Sequence, residues 1–98
     1  MSVRLTFHPN AEGELDEAAQ YYGRENLALK RAFLDEMRRC VQTIRQNPTA
    51  ASPLTEQVRR VLARRFPYGV IYSVTSSEIR ILAIAHLKRR PLYWAGRQ

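Results

Sequence analysis

The sequence predicts an α+β domain in the order β-α-α-β-β-β, closed by a short C-terminal tail. Three observations carry that expectation. "VRLTF", residues 3–7, alternates apolar and polar side chains. Residues 11–44 hold two apolar stripes at helical spacing. Residues 57–86 hold apolar runs at strand spacing, separated by turn-forming stretches. The chain has 98 residues, so 1–98 reads as one domain, and its 45% of hydrophobic residues suit a single core.

In the first strand Val3, Leu5 and Phe7 share a face. "HPN" breaks it: Pro9 suits the first turn of a helix, and Glu12, Glu14 and Asp16 favour that helix's positive end. Ala11, Leu15, Ala18, Ala19 and Tyr22 then recur at helical spacing, and Gly23 is placed to end the helix. After "REN" a second helix carries Phe33, Met37, Cys40, Val41 and Ile44 on one stripe. Lys30, Arg31, Arg38, Arg39 and Arg45 lie mostly off that stripe. "QNPTAASPLTE" stops it, because Pro48 and Pro53 cannot continue a helix. A turn of about four residues between the helices predicts an antiparallel hairpin.

Strands follow. "QVRRVLA" alternates imperfectly. "YGVIYSV", residues 68–74, puts Tyr68, Val70, Tyr72 and Val74 on one face and Gly69, Ile71 and Ser73 on the other. "TSSE" is a turn, and "IRILAIAH", residues 79–86, is apolar on both faces in its middle, as a central strand is. The helix hairpin is expected to cover one face of a small antiparallel sheet. Leu15, Ala19, Tyr22, Phe33, Met37, Val41 and Ile44 should face the sheet, with Phe7, Ile71, Ile81 and Ala83 in or beside the same core. The other face, with the basic strands, is left for a partner, and the tail can fold back along it.

Cys40 is the single cysteine, so no internal disulfide forms, which fits a reducing compartment. The first residues hold no apolar stretch long enough for a secretion signal, and no segment approaches a membrane span. A cytoplasmic protein with no membrane partner is the expectation. The formal charge is +7 and is unevenly placed. Residues 1–56 hold seven cations and eight acids, whereas residues 57–98 hold nine cations and one acid, Glu78. Fourteen of the sixteen cations are arginine, whose planar fork pairs with carboxylates and phosphates. The C-terminal half therefore offers a surface to an anionic partner, either nucleic acid or an acidic protein segment.

Chemistry-bearing patterns are sparse. His8, His86 and Cys40 lack metal-ligand spacing, so no metal and no cofactor are expected. There is no Gly-x-Ser-x-Gly elbow and no Gly-rich phosphate loop. RNA cleavage is the enzymatic option. It needs proton-transfer groups and cations for the developing phosphorane charge, and His86, Tyr93, Arg60, Arg64, Arg65, Arg89 and Arg90 are the candidates. The bland reading makes His86 a structural histidine, and Tyr93 and Trp94 an anchor for the tail.

"HPNAEGELDEAAQYY", "RRFPYGVIYSV" and "IRILAIAHLKRRPLYW", in that order, resemble the RelE/ParE family of bacterial toxins over nearly the whole chain. The resemblance implies the toxin of a type II toxin–antitoxin pair, neutralised by an antitoxin that wraps it. RelE-like members cleave mRNA on the ribosome, whereas ParE-like members inhibit DNA gyrase. Laid on this sequence, the two spaced lysines of RelE-type sites fall on Arg60 and Leu62. The arginine after the next strand's tyrosine falls on Gly69, and the post-strand arginine near Leu87, with Arg89 and Arg90 close by. Only Tyr93 matches cleanly. "RFPYGVIY" and "HLKRRPLYW" resemble the ParE-like branch.

The expectation is therefore a gyrase-directed toxin, a protein inhibitor more than an enzyme, in a hetero-oligomer with its antitoxin. Arg59, Arg60, Arg64, Arg65, Arg89, Arg90, Tyr93 and Trp94 would meet antitoxin or target. The alternatives are a ribosome-dependent mRNA endonuclease, using Arg60, His86, Arg89, Arg90 and Tyr93, and a non-catalytic basic binding domain.

Overall fold

A computed structural model describes residues 3–98. Among them, β1 is Arg4–Phe7, α1 Pro9–Glu25, α2 Leu27–Gln46, β2 Ser52–Pro53, β3 Val58–Leu62, β4 Tyr68–Val74 and β5 Glu78–His86. The order is the expected one, with β2 added as a two-residue pairing on the outer edge of β3. Pro53 is tolerated there because an edge strand need not donate outward.

The strands form one sheet in the order β1-β5-β4-β3-β2. The expected antiparallel pairing holds from β2 to β5 and fails at β1, which runs parallel to β5 from Arg4 opposite Glu78 to Phe7 opposite Ile81. A parallel neighbour needs a long crossover, and the helix hairpin supplies it.

His8 caps α1, its Nδ1 accepting the Asn10 N–H at 3.0 Å, and Pro9 opens the helix. The hairpin turn is tighter than expected. Asn26 alone separates the helices: its N–H donates to the Tyr22 carbonyl, and its Oδ1 accepts from Ala28 N at 2.7 Å and Leu29 N at 3.3 Å. One residue thus ends α1 and starts α2. Gly23 does not end α1. It lies inside the helix, where a Cβ would sit 3.1 Å from Lys30 Cδ, so its bareness lets the first turn of α2 close in.

Both helices pack on the same face of the sheet. Ala18, Ala19, Phe33, Met37, Cys40 and Ile44 meet Val70, Tyr72, Ile79, Ile81 and Ile84, with Phe7, Leu15 and Tyr22 packed beside them. Val41 is half-buried at the margin, lining a groove with Phe7, Leu15 and Leu34. Ile71 and Ala83 depart from the expectation. They lie in a second cluster on the opposite face, with Leu82, Ala85 and Trp94. In β4, Ile71 alternates with Val70 and Tyr72, which face the helices. In β5, Tyr72 pairs with Ile81 and Ile71 with Ala83, leaving Leu82 as an extra residue. That β-bulge resets the alternation, so Ile81 and Ala83 point to different faces.

One carboxylate ties α2 to the β3–β4 turn. Glu36 on α2 accepts from Arg39 Nε and Nη2 at 2.8 and 2.7 Å and from the Arg64 backbone N–H at 2.5 Å. The Arg39 hydrogen bonds hold the Glu36 carboxyl at about 2, below its ordinary 4.5, against the opposing effect of burial; the Arg64 amide adds to the lowering. Burial first, and then the Glu36 charge, push the neighbouring Cys40 thiol up to about 11. The unfolded chain thus takes up a proton at Glu36 before the folded one does. The stabilisation is complete above about 4.5 and is lost as pH falls through about 2. Glu36→Gln should cost about 2 kcal/mol at pH 7. That deficit should shrink steadily between pH 4.5 and 2, as read from urea midpoints of both proteins.

Candidate partner-binding site

After β5 the chain turns back over the sheet face that the helices leave open. Arg89 N donates to the His86 carbonyl, Tyr93 N to Arg90, Ala95 N to Leu92 and Arg97 N to Trp94, so the tail is a run of hydrogen-bonded turns. Trp94 is 5% exposed, seated against Ile71, Leu82, Ala83 and Ala85. The tail thus forms one wall of a groove of about 200 Å³, and β3 and β4 form the other. Arg60, His86, Arg89, Arg90, Tyr93 and Trp94 all line it.

Strand alternation decides which arginines reach the groove. Arg60 pairs with Ile71 and faces the tail. Its stem lies across Gly69, where an added Cβ would sit 3.0 Å from Arg60 Cδ. Gly69 is therefore the space that Arg60 occupies. Arg59 pairs with Tyr72 on the helix side, and its Nη1 donates to the Ala51 carbonyl at 2.8 Å. Arg64 and Arg65 lie in the β3–β4 turn, away from the groove lining. Arg65 adopts a positive φ of 71°, with its guanidinium 5.8 Å from the Phe66 ring centroid. Of the eight expected contact residues the groove gathers Arg60, Arg89, Arg90, Tyr93 and Trp94; Arg59, Arg64 and Arg65 lie elsewhere.

The proton-transfer candidates already have partners. His86 Nδ1 accepts the Lys88 N–H at 3.0 Å, as His8 does for Asn10, and the His86 ring packs edge-on to Tyr68. That hydrogen bond assigns the proton of the neutral ring to Nε2. Tyr93 Oη donates to Glu14 Oε2 at 2.9 Å. Burial, and then that hydrogen bond to the carboxylate, push the phenol up to about 12, so it keeps the proton it donates.

Glu14 is the centre of this arrangement, and sequence reasoning placed it only among acids near a helix start. Its Oε1 accepts the Ile84 backbone N–H at 3.0 Å, on the edge of β5 beyond the end of β1. Arg97 grips it with both Nη atoms, at 2.9 and 3.0 Å, and Arg97 Nη1 also donates to the Leu82 carbonyl at 3.0 Å. The Glu14–Arg97 pair thus stands in for a missing strand along the upper part of β5. Tyr93 completes it, with the guanidinium carbons of Arg89 and Arg97 at 4.0 and 5.0 Å from its ring centroid. Residues 14 and 97 share no local spacing, so no periodicity links them. The one available signal was Arg97 itself, a cation kept within a turn-rich aromatic tail.

Among the described residues no group of three or more His, Cys, Asp or Glu side chains is placed to hold a metal ion. The arrangement suits recognition: guanidiniums around a shallow, apolar-floored groove, on a tail fastened at several points.

Glu14→Gln should loosen the tail at a cost of roughly 3 kcal/mol, since it leaves the Arg97 guanidinium half-buried without its counter-charge. Trp94 is the sole tryptophan and reports this directly. Its emission should shift to the red and its quenching by acrylamide should rise, while far-UV circular dichroism keeps the helical signal.

Comparisons with known proteins agree with one another. A family model described as the ParE toxin of the type II toxin-antitoxin system, parDE, matches residues 5–91. A protein named Toxin ParE2 from Mycobacterium tuberculosis (strain CDC 1551 / Oshkosh) is 34% identical over 95 residues, covering 93% of this chain and 88% of the relative. A solved structure described as the chromosomal ParDE TA system from P. aeruginosa shares the fold with a TM-score of 0.73. Its sequence identity is 21%, over 86% of this chain and 95% of that one.

Proposed function

The chain belongs to the ParE toxin family and is the toxin of a type II toxin–antitoxin system; from that premise we propose that it acts as a protein inhibitor of DNA gyrase, held silent by a cognate antitoxin. The observation that supports inhibition over RNA cleavage is the commitment of Tyr93. It is the one clean match to a nuclease site, and it serves as the donor that fastens the tail to Glu14. The neighbouring positions agree. Leu62 and Gly69 stand where a nuclease keeps cations, and the Gly69 space is filled by Arg60. Each preorganised donor removed costs a phosphorane-like transition state about 3 kcal/mol.

RNA cleavage remains the second reading, because the groove does gather Arg60, His86, Arg89, Arg90 and Tyr93. Purified protein should block supercoiling of relaxed plasmid by gyrase and leave mRNA on translating ribosomes intact. His86→Ala should keep growth arrest to the extent that it keeps the fold. Ribosome-dependent cleavage that vanishes in His86→Ala or Tyr93→Phe, with folding intact, would establish the nuclease instead.

The antitoxin has two surfaces to engage. An apolar groove of about 460 Å³ runs along the helices, lined by Phe7, Leu15, Leu34, Met37, Val41 and Ile84. It suits the Leu, Ile and Val of an amphipathic segment that folds on binding. Carboxylates elsewhere in the antitoxin would meet Arg60, Arg89 and Arg90 in the tail-side groove and, at separate positions outside it, Arg59, Arg64 and Arg65. Rim ion pairs are worth only ~0.2–1 kcal/mol each, so they set on-rate and partner choice, while apolar burial sets affinity. Among the described residues no helix is long and apolar enough to cross a membrane, and a cytoplasmic site of action belongs to the same proposal.

Reversing Arg89 and Arg90 to Glu together should weaken gyrase inhibition and slow antitoxin association, with the circular dichroism spectrum unchanged. Stopped-flow association at two salt concentrations checks it. An unchanged rate together with full potency would leave the tail a mere anchored end.

A further inference from the structure

The tail carries a feature that neither the fold nor the arginines explain. Leu92 adopts φ 61°, a left-handed conformation that glycine adopts freely and leucine does not. Its side chain is nonetheless 57% exposed. A strained backbone held in place by its surroundings, bearing an apolar side chain turned to solvent, is a pattern of functional sites. The surroundings here are over-determined. Tyr93, next in sequence, is fixed to Glu14, and Trp94 after it is buried in the sheet cluster. The Leu92 carbonyl accepts the Ala95 N–H at 2.9 Å. Leu87, 52% exposed, lines the same groove, and its N–H is pinned to the Pro67 carbonyl. Arg60, Arg89 and Arg90 line that groove as well.

We infer that Leu92 is a docking anchor, presented by the tail to an apolar pocket rimmed by carboxylates on the target protein. Guanidiniums flanking an aliphatic knob complement such a pocket in both shape and charge. Nucleic acid fits less well. Binding to unpaired bases relies on aromatic faces, and here Trp94 is buried while the Tyr93 ring already carries two guanidiniums. The inference rests on the tail's facing the target of the toxin.

Leu92→Gly separates docking from folding, because glycine relieves the backbone strain while deleting the anchor. Leu92→Met keeps an apolar knob. The parent and both variants are compared at matched protein levels for growth arrest in cells without antitoxin, and in the gyrase supercoiling assay. Leu92→Gly should unfold at the same or a higher temperature and keep buried Trp94 emission. It should nevertheless need at least tenfold more protein for the same inhibition, while Leu92→Met stays within about twofold of the parent. Equal potency of Leu92→Gly and the parent overturns the inference. So does a red-shifted Trp94 in Leu92→Gly, which would make the residue a structural support. A loss of Leu92→Gly binding to plasmid alone, matching its loss of inhibition, also overturns it by assigning the surface to nucleic acid. A parent that arrests growth yet leaves supercoiling untouched removes the gyrase reading, and the growth comparison of Leu92→Gly with the parent still decides the anchor.

Discussion

The Glu14 carboxylate is the constraint on which the candidate site depends. It sits on α1, yet its acceptors serve a strand edge and the tail. β1 is too short to cover the whole of β5, so the upper half of β5 presents a donor at Ile84 and an acceptor at Leu82 with no strand to meet them. Glu14 and Arg97 meet them with side chains. At 15% and 14% side-chain exposure, the two charges are shielded enough that each needs the other. The tail's position follows from this pairing, and the groove's shape follows from the tail's position.

Much of the fold was legible because the signals that build it are local. Alternation in "YGVIYSV" marked β4 from Tyr68 to Val74, and the apolar stripe from Phe33 to Ile44 marked the buried side of α2. What was illegible is non-local or arises from a single residue. The Leu82 bulge leaves no trace in a run that is apolar on both faces, so the facing of Ala83 was misassigned. The parallel pairing of β1 is a matter of topology rather than composition. The Asn26 link looked longer because "REN" reads as a loop, whereas Arg24 and Glu25 complete the last turn of α1.

The site was legible as charge and illegible as geometry. Clustering of arginine after residue 56 marked the basic half. It did not separate Arg59 from Arg60, adjacent residues that strand alternation sends to opposite faces. Trp94 was expected among the contact residues, and its ring lies beneath the tail, where it shapes the groove from below. Glu14 and Arg97 were missed because 83 residues separate them. An acid in the N-terminal half reads as surface until its partner is known.

The same separation shapes how the molecule is assembled. Arg4 pairs with Glu78, β1 lies against β5, and Glu14 closes on Arg97, so the two ends of the chain are each other's scaffold. Contacts of such long sequence separation form late, because the intervening chain must be ordered before they repay its lost entropy. A chain in which the residues around Arg97 are not yet free to fold lacks the closed β5 edge and the seated tail together. The groove is thus completed only when residues 14 and 97 are both in place, and a chain cut short of Arg97 is built without the clasp that holds its tail.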